Sequence, residues 1–235
     1  MNIYQDLTAH RKNNRKLLAI LIDPDKISLK RIKKTVKKIH GTGADYILVG
    51  GSFLSTTRFK KVVKKLKKHT PLPVIIFPGT TTQISKKADA ILFLSLLSGR
   101  NPEYLIGKQV EAAPLIKKAG IESLATGYLL VENGQTTSVE YITQTKPLPR
   151  HKIDLAVATA LAGELLGLQI LYLEAGSGAR CPVPLPMIKA VRKNTHLPLI
   201  VGGGIKSKKE VLQAWNAGAD MVVVGTAFEK DEFQF

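Results

Sequence analysis

One cysteine, one tryptophan and 6% aromatic residues in a chain of 235 leave several kinds of protein without support. The lone Cys181 excludes an internal disulfide and fits a reducing, cytoplasmic setting. No apolar run approaches the ~20 residues that a membrane-spanning helix needs. The start, MNIYQDLTAHRKNNRK, lacks the apolar stretch of a secretory signal. Linkers, low-complexity segments and repeats are also missing. What is present, 44% hydrophobic residues over this length, suits one globular domain spanning 1–235, about the size of an α/β barrel.

Acidic residues are scarce too, 18 against 35 Lys and Arg, which gives a net charge of +17. The imbalance is concentrated in residues 1–70, which hold 18 Lys/Arg and four Asp. In "SLKRIKKTVKKIH" (28–40) and "TTRFKKVVKKLKKH" (56–69), apolar residues recur at helical spacing and lysines fill the other face. These segments read as amphipathic surface helices with solvated lysines. A sharper reading makes them a basic face for peripheral contact with an anionic membrane. Nucleic acid is not expected as a partner. Neither helix interleaves aromatics with its lysines, and no helix-turn-helix, zinc-finger or RNA-recognition signature occurs.

Apolar, β-branched runs alternate with helical patterns along the chain. Strands are expected at 17–22, 46–49, 74–77, 90–94, 124–130, 169–173, 199–201 and 221–224, and helices at 28–39, 55–68, 102–119, 153–167, 186–194 and 207–217. Eight buried-type strands with mostly helical crossovers predict a single (β/α)8 TIM-type barrel. A doubly wound sheet is the alternative, but the unusual residues fall at the ends of many strands rather than at one switch point. The spacing departs from an ideal barrel in three places. Only a short turn fits between Phe77 and Ala90, the polar stretch 131–152 reads as a long loop or lid, and the last helix is short or absent.

The strand ends carry the chemistry. Gly202, Gly203 and Gly204 close the seventh strand before a helix starting near Ser207, and Gly225 and Thr226 follow the eighth. Glycines before a helix N-terminus let backbone N–H groups approach an anion, and barrels often build phosphate sites from these two loops. One strand earlier, "YLEAGSG" (172–178) ends in Glu174, followed by Gly176, Ser177 and Gly178. A carboxylate beside a phosphate needs a task of its own, such as orienting or deprotonating a hydroxyl. The plainer alternative is a structural acid paired with Arg180. In "LIDPDKIS" (21–28) and "VGGSF" (49–53), Asp23 and Ser52 offer hard oxygens that suit Mg²⁺. The plainer alternative there is a turn followed by a helix capped by Ser28.

Taken in order, "LIDPDK", "ADYILVGGS", "ATGYLLVENG", "YLEAGSG", "VGGGI" and "ADMVVVGTA" resemble the geranylgeranylglyceryl phosphate synthases and the related bacterial heptaprenylglyceryl phosphate synthases, from about Leu17 to Glu229. The resemblance implies a phosphate-binding barrel that joins a polyprenyl diphosphate to the C3 hydroxyl of sn-glycerol 1-phosphate with Mg²⁺. By position it implies Asp23 and Ser52 as metal ligands and Glu174 as the catalytic residue. Tyr172, Leu173, Glu174, Ala175, Gly176, Ser177 and Gly178 would line the glycerol phosphate. Gly203, Gly204, Gly225 and Thr226 would bind its phosphate. It also implies a homo-oligomer, hexamer or dimer, and a side groove for the lipid tail bordered by 77–85 and 94–105. Leu21 stands where many members have lysine, which points to another subgroup and removes one expected phosphate contact. Two rival readings stay open: another barrel enzyme acting on a sugar phosphate, and a non-catalytic barrel that binds phosphate or an anionic surface.

Overall fold

Strand formation follows the apolar runs closely. The computed structural model describes residues 2–233, with β1 Leu17–Ile22, β2 Tyr46–Gly51, β3 Val74–Pro78, β4 Ala90–Leu96, β5 Glu122–Leu130, β6 Ile170–Glu174, β7 Leu199–Gly202 and β8 Met221–Val224. All eight pair in parallel and in chain order, and β8 closes back onto β1. That closure decides against the doubly wound sheet.

Successive side chains of a strand point to opposite faces, so each strand supplies two cores. Leu17, Ala19, Tyr46, Leu48, Leu92, Leu124, Ile170, Tyr172, Ile200 and Val223 fill the barrel interior. Their sequence neighbours Leu18, Ile20, Ile47, Val49, Leu171, Leu173 and Val201 face outward and pack under the helices. Being buried on both faces is why these strands read as unbroken apolar runs rather than alternating ones.

The helices are α1 Ile3–Lys12, α2 Ile32–Gly41, α3 Phe59–His69, α4 Lys108–Ala119, α5 Ser138–Thr143, α6 Ile153–Leu165, α7 Leu185–Asn194, α8 Lys208–Ala217 and α9 Thr226–Glu229. Helix α1, absent from the sequence reading, plugs the end of the barrel where the strands begin. Its Ile3 and Leu7 join the interior core, and Asp6 accepts a hydrogen bond from the Tyr46 hydroxyl. The Glu122 carboxylate, at the start of β5, accepts the N–H groups of Ile3 and Tyr4 at 2.6 and 2.9 Å. It thereby satisfies two of the donors that a helix start leaves open.

Two expectations need correction. Ser28 caps nothing: α2 begins at Ile32 and has no side-chain cap. The neighbouring acid is committed elsewhere, because Asp25 accepts the N–H groups of Ser55 and Thr56 at 2.7 and 2.9 Å and so pins the loop after β2. The segment 102–119 is not one regular helix; its first turn, Glu103–Gly107, is π-helical. The three irregularities of spacing are present. No helix follows β3, α9 is one turn long, and 131–152 holds α5 and an isolated bridge from Val131 to Leu148.

Replacing Glu122 with Ala should expose the open α1 donors and destabilise the fold by about 2 kcal/mol. Urea unfolding measures this, with loss of the α1 plug visible as faster hydrogen exchange at Tyr46.

Candidate active site

Glu174 owes its position to the two-residue period. Ile170 and Tyr172 face the barrel interior, so Glu174 is the next inward residue and the last of β6. It is 5% exposed, and among the described residues no cation pairs with it, Arg180 included. Its Oε1 accepts the Gly176 N–H at 2.7 Å. The Tyr172 hydroxyl lies near the same carboxylate but makes no aligned hydrogen bond to it or to any described residue. Burial pushes the carboxyl up to about 7, against the lowering effect of the Gly176 N–H and the Tyr172 hydroxyl. A group poised there can both accept and release a proton near neutrality.

Two glycines of the 202–204 run make room for this acid. Gly202 pairs with Glu174 across the β6–β7 ladder, and a Cβ on it would lie 2.5 Å from the Tyr172 hydroxyl oxygen and 2.8 Å from Glu174 Oε2. Gly203 has φ +82°, and a Cβ there would overlap Glu174 Oε1. Beyond them, Ser207 begins α8 with a reciprocal cap, its hydroxyl accepting the Glu210 N–H at 3.3 Å. Among the described residues the backbone N–H groups of Gly203, Gly204, Gly225 and Thr226 take no backbone partner. Ser177 and Thr226 meet hydroxyl to hydroxyl at 3.3 Å, joining the loops after β6 and β8. This combination of free amides and hydroxyls at a helix start suits a phosphate.

One cavity of about 660 Å³ collects most of the residues singled out by sequence. Asp23, Ser52, Tyr172, Glu174, Gly176, Ser177, Gly178, Gly203, Gly204, Gly225 and Thr226 all line it. Leu173 and Ala175 do not. Period two turns Leu173 outward into the helix-facing core, where Ala175 also packs. The Ala175 N–H is already bonded to the Gly202 carbonyl at 3.0 Å.

The cavity has two chemically different parts. Its floor is aromatic: Phe77 stacks on Tyr172 at 5.1 Å between ring centroids, with Tyr128 edge-on to Tyr172 at 5.7 Å. From that floor an apolar arm runs past Ile84, Ile91, Leu94, Leu96, Ala112 and Ile116. It occupies the side where β3 has no following helix, and segments 77–85 and 94–105 both contribute to its wall.

Asp23 and Ser52 stand at the ends of β1 and β2, Ser52 beside the end of β3. The Asp23 carboxyl lies over Gly51, its Cγ 3.8 Å from where a Cβ on that glycine would be, one residue before Ser52. Among the described residues no three His, Cys, Asp or Glu side chains cluster as a self-sufficient metal site. One carboxylate and one hydroxyl fit a hard cation that takes its remaining oxygens from a diphosphate and water.

Several site residues escaped the sequence reading. Glu229 of α9 accepts the Asp23 N–H at 3.0 Å and holds the Lys26 ammonium at 3.0 Å, while Lys26 also lies 3.4 Å from Asp23. Asn133, 2% exposed, donates to the Ala175 carbonyl at 2.6 Å, and Gln135 donates to the Gly178 carbonyl at 3.0 Å. The 131–152 segment thus clamps the loop after Glu174. An "ENG" turn gives no local sign of such a distant partner.

A model of the PcrB family matches residues 10–234. The chain belongs to the PcrB family. The chain is 53% identical to the geranylgeranylglyceryl phosphate synthase of Flavobacterium johnsoniae over 99% of its own length and 96% of that protein's. Identity to the enzyme of the same name from Methanosphaera stadtmanae is 45%, over 99% and 94% of the two chains. The crystal structure of (S)-3-O-geranylgeranylglyceryl phosphate synthase from Thermoplasma acidophilum, in complex with its substrate sn-glycerol-1-phosphate, superposes with a TM-score of 0.91. That pair shares 34% identity and covers 98% and 92% of the two chains. An N-acetylmannosamine-6-phosphate 2-epimerase from Clostridium perfringens, at TM-score 0.59 and 15% identity, shares the fold alone.

The raised Glu174 carboxyl has a stability consequence. Its folded value of about 7 lies above the ordinary 4.5, so the native state binds the proton more tightly. That stabilisation is complete below about pH 4.5 and is lost as pH rises through about 7. Glu174→Gln should therefore be more stable than the parent at pH 8, by on the order of 3 kcal/mol. The difference should shrink toward pH 4.5, as read from thermal melts across that range.

Proposed function

We propose that this chain transfers the geranylgeranyl group of geranylgeranyl diphosphate to the C3 hydroxyl of sn-glycerol 1-phosphate, giving geranylgeranylglyceryl phosphate and diphosphate with Mg²⁺. One observation carries the reading: a buried carboxylate without a cation stands where a glycine-rimmed anion site meets a long apolar arm. A sugar-phosphate enzyme has use for the first two features but not for the third. The family membership and the close relatives of that name support the same assignment.

The glycerol phosphate would be held by the Gly203, Gly204, Gly225 and Thr226 amides, with Ser177 and Gly178 closing over it. Its C3 hydroxyl would then meet Glu174. As the new C–O bond forms, the hydroxyl proton passes to Glu174, and the allylic C–O bond to diphosphate breaks with its electron pair leaving on the diphosphate. The Phe77, Tyr128 and Tyr172 rings, which pack on one another and line the cavity, would lie beneath the allylic carbon as it gains positive character, and the apolar arm would keep water from it. Asp23 and Ser52 would hold Mg²⁺, which when bound neutralises charge on the leaving diphosphate. Lys26 and Glu229 fix that corner by gripping Asp23 from two sides.

The test is a transfer assay with geranylgeranyl diphosphate and either sn-glycerol 1-phosphate or the 3-phosphate, with Glu174→Gln alongside. Product from the 1-phosphate alone, reduced at least about 100-fold in the variant, is expected. Turnover that persists in the variant, or from both isomers equally, would overturn the assignment of the acid. Chelating Mg²⁺ should abolish transfer while calorimetric binding of sn-glycerol 1-phosphate survives. Full turnover under chelation would remove the metal from the proposal.

A further inference from the structure

The lysine-rich faces of α2 and α3 take no part in the site described above. The two helices pack side by side, and their apolar residues, among them Ile32, Val36, Val62 and Leu66, are buried beneath them. Outward stand Lys33, Lys37, Lys60, Lys61, Lys64 and Lys68, all exposed. Among the described residues none of these six forms an ion pair, whereas Lys38 and Lys67 at the patch edges reach Asp231 and Asp89. No acid occurs in the sequence between Asp25 and Asp45 or between Asp45 and Asp89. The face is therefore an uncompensated field of positive charge, costly in self-repulsion unless it meets a partner.

Its neighbours suggest which partner. Barrel order sets α3 on one side of the gap left by the helix missing after β3, with α4 on the other. The loop from β2 into α3 carries Phe53, which is 70% exposed and lines the cavity. On the α4 side, Ile106 and Val110 are 61% and 66% exposed. Basic residues beside exposed apolar ones, at the wall of an apolar arm, form the pattern of a surface that lies on a bilayer.

We propose that the α2–α3 face docks this protein on an anionic lipid surface, with the Phe53 loop meeting the bilayer at the cavity mouth. The docking rests on charge and exposure alone. Its use, drawing a prenyl diphosphate from the membrane into the apolar arm, rests on the transferase reading above. A nucleic acid would satisfy the charge but leaves Phe53, Ile106 and Val110 without a role.

The experiment is co-sedimentation of the full chain with vesicles of phosphatidylcholine, with or without about one-third phosphatidylglycerol, in ~0.1 and ~0.5 M NaCl. Binding to the anionic vesicles alone, lost at the higher salt, is expected. Each lysine strengthens such partition about fivefold. Changing Lys33, Lys37, Lys60 and Lys64 together to Gln should then weaken it by on the order of 100-fold or more. That variant should keep its melting temperature and its turnover of detergent-solubilised substrate, while Phe53→Ser should weaken vesicle binding on its own. No binding to anionic vesicles, undiminished binding by the four-lysine variant, or displacement from vesicles by an equal charge of duplex DNA would each overturn the proposal. Failure of the transferase reading would leave vesicle binding intact, so the two outcomes are separable.

Discussion

The site depends on burying a carboxylate without giving it a cation. Desolvation disfavours the charged form of Glu174, and the chain answers with one N–H from Gly176 and a nearby tyrosine hydroxyl instead of an ion pair. That leaves the acid titrating near neutrality, where its charged form costs stability. The arrangement demands space on the neighbouring strand. Gly202 and Gly203 supply it, and a side chain at either position would overlap the acid or its tyrosine neighbour.

The same glycines serve a second purpose. The backbone cleared for Glu174 also leaves the Gly203 and Gly204 N–H groups without a backbone partner among the described residues, so the acid and these open amides share one corner of the cavity. The loop that follows the acid is then held from outside the barrel. Asn133 and Gln135 bond its carbonyls, and Thr137 packs against Gly176. A long polar connection, costly to order, is stabilised because it closes over the place where order is needed.

Removing one helix gives the cavity its other half. A complete barrel would cover the outside of β3 and β4 with a crossover helix. Here a turn replaces it, and Ile84 and α4 line an apolar arm continuous with the polar site. The polar and apolar halves meet over the aromatic floor, where a hydroxyl and an allylic carbon could be brought together away from water.

Much of this was legible in the sequence because it follows from local periodicity. Doubly buried runs fixed the strands, three-to-four-residue spacing fixed most helices, and glycine clusters at strand ends marked loops that line the cavity. The inward position of Glu174 follows from counting by twos along β6, and the same count should have removed Leu173 from the lining. Helix α1 passed unnoticed because its apolar face is narrow, only Ile3 and Leu7 being buried, and the plug it forms depends on Glu122, more than a hundred residues away. Nor could spacing link Glu229 to Asp23, or Asn133 to Ala175, since barrel closure alone brings those segments together. Sequence determined the strand pattern and the kinds of group at each strand end, both properties of neighbouring residues. Tertiary structure decided which groups share one cavity and how far Glu174 is desolvated, because contacts between distant residues and exclusion of water exist only once the barrel has closed.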